Sequence, residues 1–221
     1  MTRKTRKRKY CPTLRFSPYA WAKLLFLRDQ GPTEIGGFGI AREGDPLFIE
    51  DVALVQQLCT AVTVKFDDAA VADHFDEQID RGRPPEEFAR VWIHTHPGDS
   101  ATPSWTDERT LSRVFGHCDW AVMAILAKGG QSFARLRFNT GPRADVPIHM
   151  EVDWSPPFAG ADSSAWLQEY QTCVRSREPF TEVVPETGVG CLANLVNDLA
   201  NDQDDESGTL VEQDLWDAAF W

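Results

Sequence analysis

The sequence "FARVWIHTHPGDSATPSWTD" occupies residues 88–107 and carries the main structural signal of the chain. Its first half is an apolar run that predicts a buried strand, and a helical pattern begins at Thr106. His94 and His96 stand one residue apart at the end of this strand. Because side chains alternate along a strand, both imidazoles face the same side. Two imidazoles in this arrangement can bind one metal ion.

Asp107 is the candidate for a third ligand. It lies eleven residues after His96, at the head of the predicted helix, and the intervening loop is long enough to fold back. Two histidines, one aspartate and a water form the open arrangement of a catalytic zinc site, whereas structural zinc is usually closed by four protein ligands. Cys118 lies a further eleven residues along the chain and is not placed to close the site. The open position predicts a bound water whose pKa the metal lowers.

Glu34 is the candidate proton acceptor for such a water. It follows a Gly-Pro-Thr turn at the start of a predicted strand. The small residues after it leave space for a closely approaching group: Gly36, Gly37 and Gly39. A carboxylate there can take a proton from water and deliver it to a leaving amine. Considered alone, Glu34 would be interpreted as a solvated turn residue, and only its combination with the histidines favours catalysis.

Ser104 lies between the histidines and Asp107 and has two interpretations. Its hydroxyl can donate a hydrogen bond to a tetrahedral oxyanion. Alternatively, it can cap the first turn of the helix that contains Asp107. Trp105, beside it, either walls a substrate cleft or packs internally, and the sequence does not distinguish these.

These residues together resemble a known motif. The series Glu34, then His94-Thr95-His96-Pro97, then Pro103-Ser104 and Asp107 looks like the JAMM motif of the JAB/MPN metalloprotease family. The resemblance covers roughly residues 15–154. The segment at 108–119 is short, which makes the chain more similar to the compact bacterial members than to the larger eukaryotic ones.

The resemblance implies a fold, a cofactor and a reaction. The fold is a mixed β-sheet flanked by helices, the JAB/MPN core that is also cytidine-deaminase-like. One catalytic Zn²⁺ is bound by His94, His96 and Asp107, with Glu34 as general acid and base and Ser104 as oxyanion donor. The reaction is hydrolysis of a peptide or isopeptide bond, commonly just after the C-terminus of a ubiquitin-like protein.

Hydropathy patterns along the chain agree with this fold class. Helices are expected from Pro18, from Asp67 or Asp68 to Gly82, and from Thr106. Strands are expected at residues 34–41, 47–57, 88–96, 120–127, 132–138 and 146–154. Interleaved helices and strands predict an α/β (α+β) domain with a mixed sheet over residues 10–154.

Both termini differ from this domain in their charge composition. Residues 1–9 hold six Lys or Arg and no acid, whereas residues 178–221 hold eleven Asp or Glu and no base. Since the net charge of the whole chain is −12, residues 10–177 carry −7. We predict a solvated basic arm at 1–9 and an acidic, partly disordered C-terminal extension at 155–221. The tail is interpreted as a solubilising segment, with a partner-binding peptide or a regulatory lid as alternatives.

The remaining composition restricts the class of protein. The five cysteines are odd in number and form no Cys-x-x-Cys pair, which favours a reducing, cytoplasmic setting over a disulfide framework. No apolar run reaches the length that a bilayer requires, so no membrane association is expected. The acidic body argues against nucleic acid as a general partner, although the basic arm alone could contact RNA, DNA or an acidic partner.

The sequence thus predicts a zinc metallopeptidase or isopeptidase. Its expected substrate is a ubiquitin-like protein, as a precursor or a conjugate, and E1- or E2-like proteins are possible pathway partners. One alternative is a peptidase that processes a sulfur-carrier protein in cofactor or amino-acid biosynthesis. Another is a non-catalytic MPN scaffold, although scaffolds generally lose a ligand or the glutamate. A nucleophilic pair of His117 and Cys118 is a weaker alternative, and His74 and His149 are expected to be structural.

Overall fold

The computed structural model describes residues 12–177. The predicted basic arm and residues 178–221 of the predicted C-terminal extension, with its expected disorder, lie outside the described residues. None of the described helices is long and apolar enough to cross a membrane.

Strands and helices interleave along the described chain. The strands are β1 (Thr13–Phe16), β2 (Gly36–Arg42), β3 (Asp45–Ala53), β4 (Gln57–Cys59), β5 (Val64–Phe66), β6 (Val91–His96), β7 (Trp120–Ala127), β8 (Ser132–Phe138), β9 (Ala144–Val152) and β10 (Val174–Ser176). The helices are α1 (Pro18–Arg28), α2 (Asp68–Asp80), α3 (Trp105–Phe115) and α4 (Ser163–Cys173), with a 3-10 turn at Pro85–Glu87. The predicted α/β (α+β) class is confirmed.

Seven strands form a closed sheet in the order β1-β3-β2-β6-β7-β8-β9. This sheet is mixed, as predicted, because β6 pairs in parallel with β7 while β2 pairs antiparallel with β3 and β6. The closure comes from β1, which pairs in parallel with both β3 and β9. A smaller sheet has the order β10-β4-β5. Neither the closure nor β1 was predicted, since four residues are too short for a clear alternation pattern.

The strand predicted at residues 47–57 is wrong in one respect, because it is divided between the two sheets. β3 ends at Ala53 in the closed sheet, and β4 begins at Gln57 in the smaller one. Between them the backbone N–H of Leu54 donates to Glu169 Oε1 at 2.8 Å instead of to a strand. The hydropathy pattern hides this break because Leu54 and Val55 are themselves buried.

Strand β6 separates the core from the candidate site. Val91 and Ile93 belong to the main apolar core, together with residues of α1, β1 and β7. The alternate residues Trp92 and His94 point to the other face. There the Trp92 ring stacks against Phe115 of α3, with ring centroids 6.1 Å apart. Helix α3 therefore packs over the face of the sheet that presents the histidines.

Helix α4 extends the structured unit beyond residue 154. The Trp166 indole N–H donates to the Tyr19 hydroxyl at 3.0 Å. The buried Lys23 ammonium of α1 lies 3.0 Å from Asp51 and 2.6 Å from Glu169. The compact unit runs to Arg177, past the predicted boundary at residue 154. Most of the short piece after 154 is therefore part of the folded body and not a free extension.

His74 of α2 is an apolar-packed histidine, as its lack of spaced partners predicts. Its ring stacks on Phe38 with centroids 5.5 Å apart, and Phe75 and Phe88 contact its other sides. Its Nε2 atom has no hydrogen bond within the described residues. Burial lowers the pKa of His74, against the opposing effect of Glu77. The folded protein therefore holds this imidazole neutral.

This burial predicts an acid-sensitive contribution to stability. The unfolded chain takes up a proton at His74 below its ordinary pKa of 6.5, whereas the folded protein resists protonation. The stabilising effect of the neutral ring is thus complete above pH 6.5 and is lost as the pH falls, by at most about 1.4 kcal/mol per pH unit. We expect His74→Leu to remove this loss, as measured by chemical denaturation between about pH 7 and 5. Equal pH slopes for the two proteins would contradict the assignment.

Candidate metal centre

The structure brings the three predicted metal ligands together. His94 and His96 come from the end of β6, and Asp107 comes from the first turn of α3. The Nε2 atom of His94 lies 3.2 Å from Asp107 Oδ1, and that of His96 lies 3.6 Å from Asp107 Oδ2. The three potential ligand atoms all lie within 4.8 Å of one another. Within the described residues, they form a group that can hold a metal ion.

The unsatisfied atoms of this group fit a bound cation. The Nε2 atoms of His94 and His96 are buried and have no hydrogen-bond partner in residues 12–177. Buried polar atoms normally have a partner, and a coordinated ion would supply one. Two ligands of a tetrahedral Zn²⁺, each about 2.0–2.1 Å from the ion, lie about 3.4 Å apart. The separations of 3.2 Å from His94 to Asp107 Oδ1 and 3.6 Å from His96 to Asp107 Oδ2 are close to this spacing, although each involves a different oxygen of the carboxylate.

A second contact orients His96. Its Nδ1 atom lies 2.9 Å from the backbone carbonyl oxygen of Ser100. An N–H at Nδ1 donating to this carbonyl leaves Nε2 as the atom with a free lone pair. Metal-binding histidines usually use their second nitrogen in this way, which fixes both the tautomer and the orientation of the ring. The loop after β6 therefore prepares His96 for coordination.

Asp107 is held by a reciprocal helix cap. The Ser104 hydroxyl oxygen accepts a hydrogen bond from the Asp107 backbone N–H at 3.1 Å. The Asp107 carboxylate in turn accepts one from the Ser104 backbone N–H at 2.6 Å. This capping box starts α3 and points the carboxylate towards the two histidines. The capping interpretation of Ser104 is confirmed, and the geometry leaves its hydroxyl hydrogen available for another acceptor.

Glu34 lies across the strands from His96. Gly36 pairs with His94 in the antiparallel β2–β6 ladder, so the register carried two residues outwards places Glu34 opposite His96. Its Oε1 atom lies 3.7 Å from His96 Nε2, and the side chain is buried. Between the two, Ile35 donates its N–H to Thr95 Oγ1 and accepts the Thr95 N–H at its carbonyl. The predicted acid thus faces the three-residue group.

Gln57 is a positioning residue that the sequence did not reveal. Its side-chain oxygen accepts the Gly36 N–H at 2.8 Å, while its amide nitrogen donates to the carbonyls of Gly36 and Val55. It also accepts a contact from the Cys59 thiol. This buried amide anchors the start of β2, two residues after Glu34. Nothing in the sequence around residue 57 signals the role, because the contact depends on how the two sheets meet.

The glycines after Glu34 serve packing more than access. A side chain at Gly36 would meet Phe66 and Val64 of β5, and one at Gly37 would meet the Ala53 carbonyl. The sequence analysis expected these glycines to leave space for a closely approaching group, and the groups that approach them belong to β5 and β3 of the protein itself. The missing side chains let the smaller sheet lie close against β2, which in turn helps to bury Glu34.

Burial and mutual charge set the ionisation of the site. Burial raises the pKa of Glu34 to about 7, with His96 opposing the rise and Asp107 adding to it. Burial lowers the pKa of His94, which favours the neutral form that a metal requires. The Asp107 carboxylate raises the pKa of His96. Burial opposes the ionisation of Asp107, but His94 and His96 outweigh it and hold its pKa below its usual range. Asp107 is thus the permanent anion of the group.

The other candidates lie outside this centre. Burial raises the pKa of the Cys118 thiol to about 11, so it remains protonated at neutral pH and is a poor nucleophile. His117 is exposed at the far end of α3, and His149 is exposed on β9. Trp105 is not packed internally, since 74% of its surface is accessible.

Comparison with known proteins agrees with the geometry. The family model described as prokaryotic homologs of the JAB domain matches residues 21–139, which is more than half of the chain. The matched segment contains Glu34 and the complete three-residue group. A comparison with curated proteins returned no match.

Proposed function

The chain belongs to the prokaryotic homologs of the JAB domain, and we propose that it is a zinc-dependent metallopeptidase or isopeptidase. The bond that it hydrolyses lies after the C-terminus of a ubiquitin-like protein, in a precursor or a conjugate. One observation carries the proposal: a buried acid, Glu34, faces the three potential ligands without being required as one of them. A purely structural metal site has no need of this additional carboxyl group.

Zn²⁺ is the proposed cofactor, held by His94, His96 and Asp107. The donor set of two imidazoles and a carboxylate suits zinc and leaves one position for water or substrate, as catalytic zinc sites do. When bound, the cation supplies Lewis-acid polarisation of the scissile carbonyl and acidifies water at the site.

Glu34 moves the proton. Its carboxylate accepts a proton from the attacking water and then donates it to the leaving nitrogen, which is a lysine amine in an isopeptide substrate. Its raised pKa, about 7, suits a group that must both accept and release a proton near neutral pH. The hydrogen bonds of Ile35 to Thr95 and of Gly36 to Gln57 hold the backbone beside Glu34 in place.

Ser104 stabilises the developing oxyanion. Its hydroxyl oxygen already accepts a hydrogen bond from the Asp107 N–H, so its own hydrogen points elsewhere. The residue is exposed next to the candidate metal centre, where a substrate carbonyl can reach it. Capping and oxyanion binding are therefore compatible roles for one hydroxyl.

We expect Ser104→Ala to have two separable effects. Loss of the cap lowers the free energy of unfolding by about 0.5–2 kcal/mol. Loss of the oxyanion donor lowers kcat by about 10²–10³-fold. Ser104→Thr keeps the hydroxyl and is the matched control for both effects. A variant that is destabilised but retains full kcat would leave Ser104 with the capping role alone.

The alternatives differ in substrate or in activity. A sulfur-carrier protein would present a similar C-terminal tail to the same centre, in the same reducing, cytoplasmic setting. A non-catalytic scaffold would not need Glu34 or a complete ligand set, and this chain retains both. Proteins resembling E1 and E2 enzymes are the proposed pathway partners if the substrate is a conjugate.

The direct test is incubation of the zinc-loaded protein with ubiquitin-like proteins that carry a C-terminal extension or an amide-linked lysine. We expect intact mass spectrometry to show release of the extension and the addition of one water to the new C-terminus. A protein that binds one equivalent of zinc yet cleaves none of these substrates would favour the scaffold alternative.

A further inference from the structure

The outer surface of α3 carries an unusual set of exposed side chains. Trp105, Arg109 and Arg113 lie four residues apart, so they form one line along the helix. The buried residues Asp107 and Leu111 lie on the opposite side. We call these three exposed residues the α3 outer face. Tryptophan and arginine are both enriched among the residues that dominate protein interfaces, and this line combines them.

The α3 outer face carries positive charge that the described protein does not neutralise. Arg109 lies over the Trp105 ring, 5.4 Å from its centroid, and neither Arg109 nor Arg113 forms an ion pair within residues 12–177. The neighbouring arginines of β8, Arg135 and Arg137, are instead paired with acids of their own. These two free guanidinium groups stand on a body whose net charge is −7.

This surface begins beside the candidate metal centre, at the first turn of α3. Trp105 directly follows Ser104, and Asp107 leaves the same helical turn towards the histidines. A substrate whose scissile carbonyl lies beside Ser104 therefore has Trp105 one residue away along the helix. Any folded domain attached to that carbonyl by a short tail lies within reach of Arg109 and Arg113, since one helical turn advances only about 5.4 Å.

We propose that the α3 outer face is the docking surface for the folded body of the substrate protein, and that the matching surface on this body is acidic around an apolar patch. The proposal rests on the proposed function and adds the chemistry of the partner to it. Tryptophan and arginine are the residue types that most often dominate protein interfaces. The Trp105 ring covers the apolar patch, and the two guanidinium groups pair with carboxylates around it.

An acidic protein fits this surface better than a nucleic acid. Nucleic-acid sites neutralise several phosphates with a continuous run of basic residues. Here only two unpaired arginines stand beside one aromatic ring, on an acidic body.

The test compares two fluorogenic substrates that share one tail sequence. The first is a short tail peptide, and the second is a folded ubiquitin-like domain that ends in the same tail and has an acidic surface patch. For Arg109→Glu/Arg113→Glu we expect kcat/KM for the domain, relative to that for the peptide, to fall at least about tenfold. Trp105→Ala should lower the same ratio, and Trp105→Phe should restore part of it. Arg81→Glu/Arg175→Glu makes the same charge change at exposed positions elsewhere and should leave the ratio unchanged.

A binding measurement separates this proposal from the proposed function. Calorimetric titration of the Glu34→Gln protein with the acidic domain should give an affinity that falls with added salt and with neutralisation of the acidic patch. Binding that depends on Arg109 and Arg113, with no cleavage of the same domain by the zinc-loaded wild-type protein, would support the docking surface and contradict the peptidase. If Arg109→Glu/Arg113→Glu cleaves both substrates with an unchanged ratio of kcat/KM for the domain to that for the peptide, the docking surface is contradicted. The peptidase activity would still be supported. Tighter binding of the α3 outer face to a DNA or RNA oligonucleotide than to the acidic domain would also contradict the proposed docking surface.

Discussion

Replacement of Glu34 by glutamine is expected to lower kcat by about 10²–10⁴-fold, the usual contribution of a general acid–base group. Glutamine keeps the size and the hydrogen-bonding shape of the side chain but cannot accept a proton from water. The three ligands His94, His96 and Asp107 are unchanged, so the variant should still bind one equivalent of zinc. A loss of kcat with intact metal binding is therefore the signature of the proposed role.

Glu87→Gln is the matched control for this measurement. Glu87 is as buried as Glu34, at 7% exposure, but it lies on the 3-10 turn and accepts the Gly44 N–H. We expect this variant to keep its kcat, because it removes a buried carboxylate away from the centre. Metal content by mass spectrometry and steady-state kinetics on the same samples complete the test. Wild-type kcat in the Glu34 variant would exclude the mechanism.

Replacement of Asp107 by asparagine is expected to abolish metal binding at micromolar zinc while leaving the fold intact. The change removes the anionic ligand, and its cost should exceed the about 10–100-fold loss in affinity that follows removal of an outer hydrogen-bond partner. The asparagine oxygen can still accept the Ser104 N–H, so the cap of α3 is retained. The asparagine variant therefore distinguishes a loss of metal binding from a loss of helix α3.

Thermal unfolding with and without zinc measures this effect. A ligand that binds only the folded protein stabilises it by about 2.7 kcal/mol at a concentration one hundred times its dissociation constant. The wild-type protein should therefore melt at a higher temperature with zinc, whereas the Asp107 variant should show no such shift. Asp119→Asn, a change of the same kind at an exposed position beyond α3, should respond to zinc like the wild type. A full zinc shift in the Asp107 variant would show that the ligand set is wrong.

The ligand group could be predicted from the sequence because its geometry is largely local. The spacing of His94 and His96 follows from strand alternation, and the link between Ser104 and Asp107 is contained in one helical turn. The position of Glu34 is harder to predict from the sequence, because it depends on the pairing of β2 with β6. It was identified through its combination with the other motif residues and not through any local pattern.

The features that escaped prediction all depend on distant contacts. Gln57 acts where the smaller sheet meets β2, and the closed sheet depends on the pairing of β1 with β9. The extension of the unit to Arg177 depends on the ion pairs of Lys23 and on the burial of Trp166 against α1. Hydropathy patterns report which face of an element is buried, but they do not identify the element that buries it.

The capping box has a consequence for how this chain can diverge. One carboxylate holds the start of α3 and, in the proposed function, also binds the cation, so selection on the helix continues even where selection on catalysis has ceased. A descendant that abandons hydrolysis no longer needs the metal-binding nitrogens of the two histidines, whereas an oxygen at position 107 still accepts the Ser104 backbone N–H. Aspartate or asparagine at this position is therefore expected to persist longer than the histidines in lineages that have lost the proposed activity.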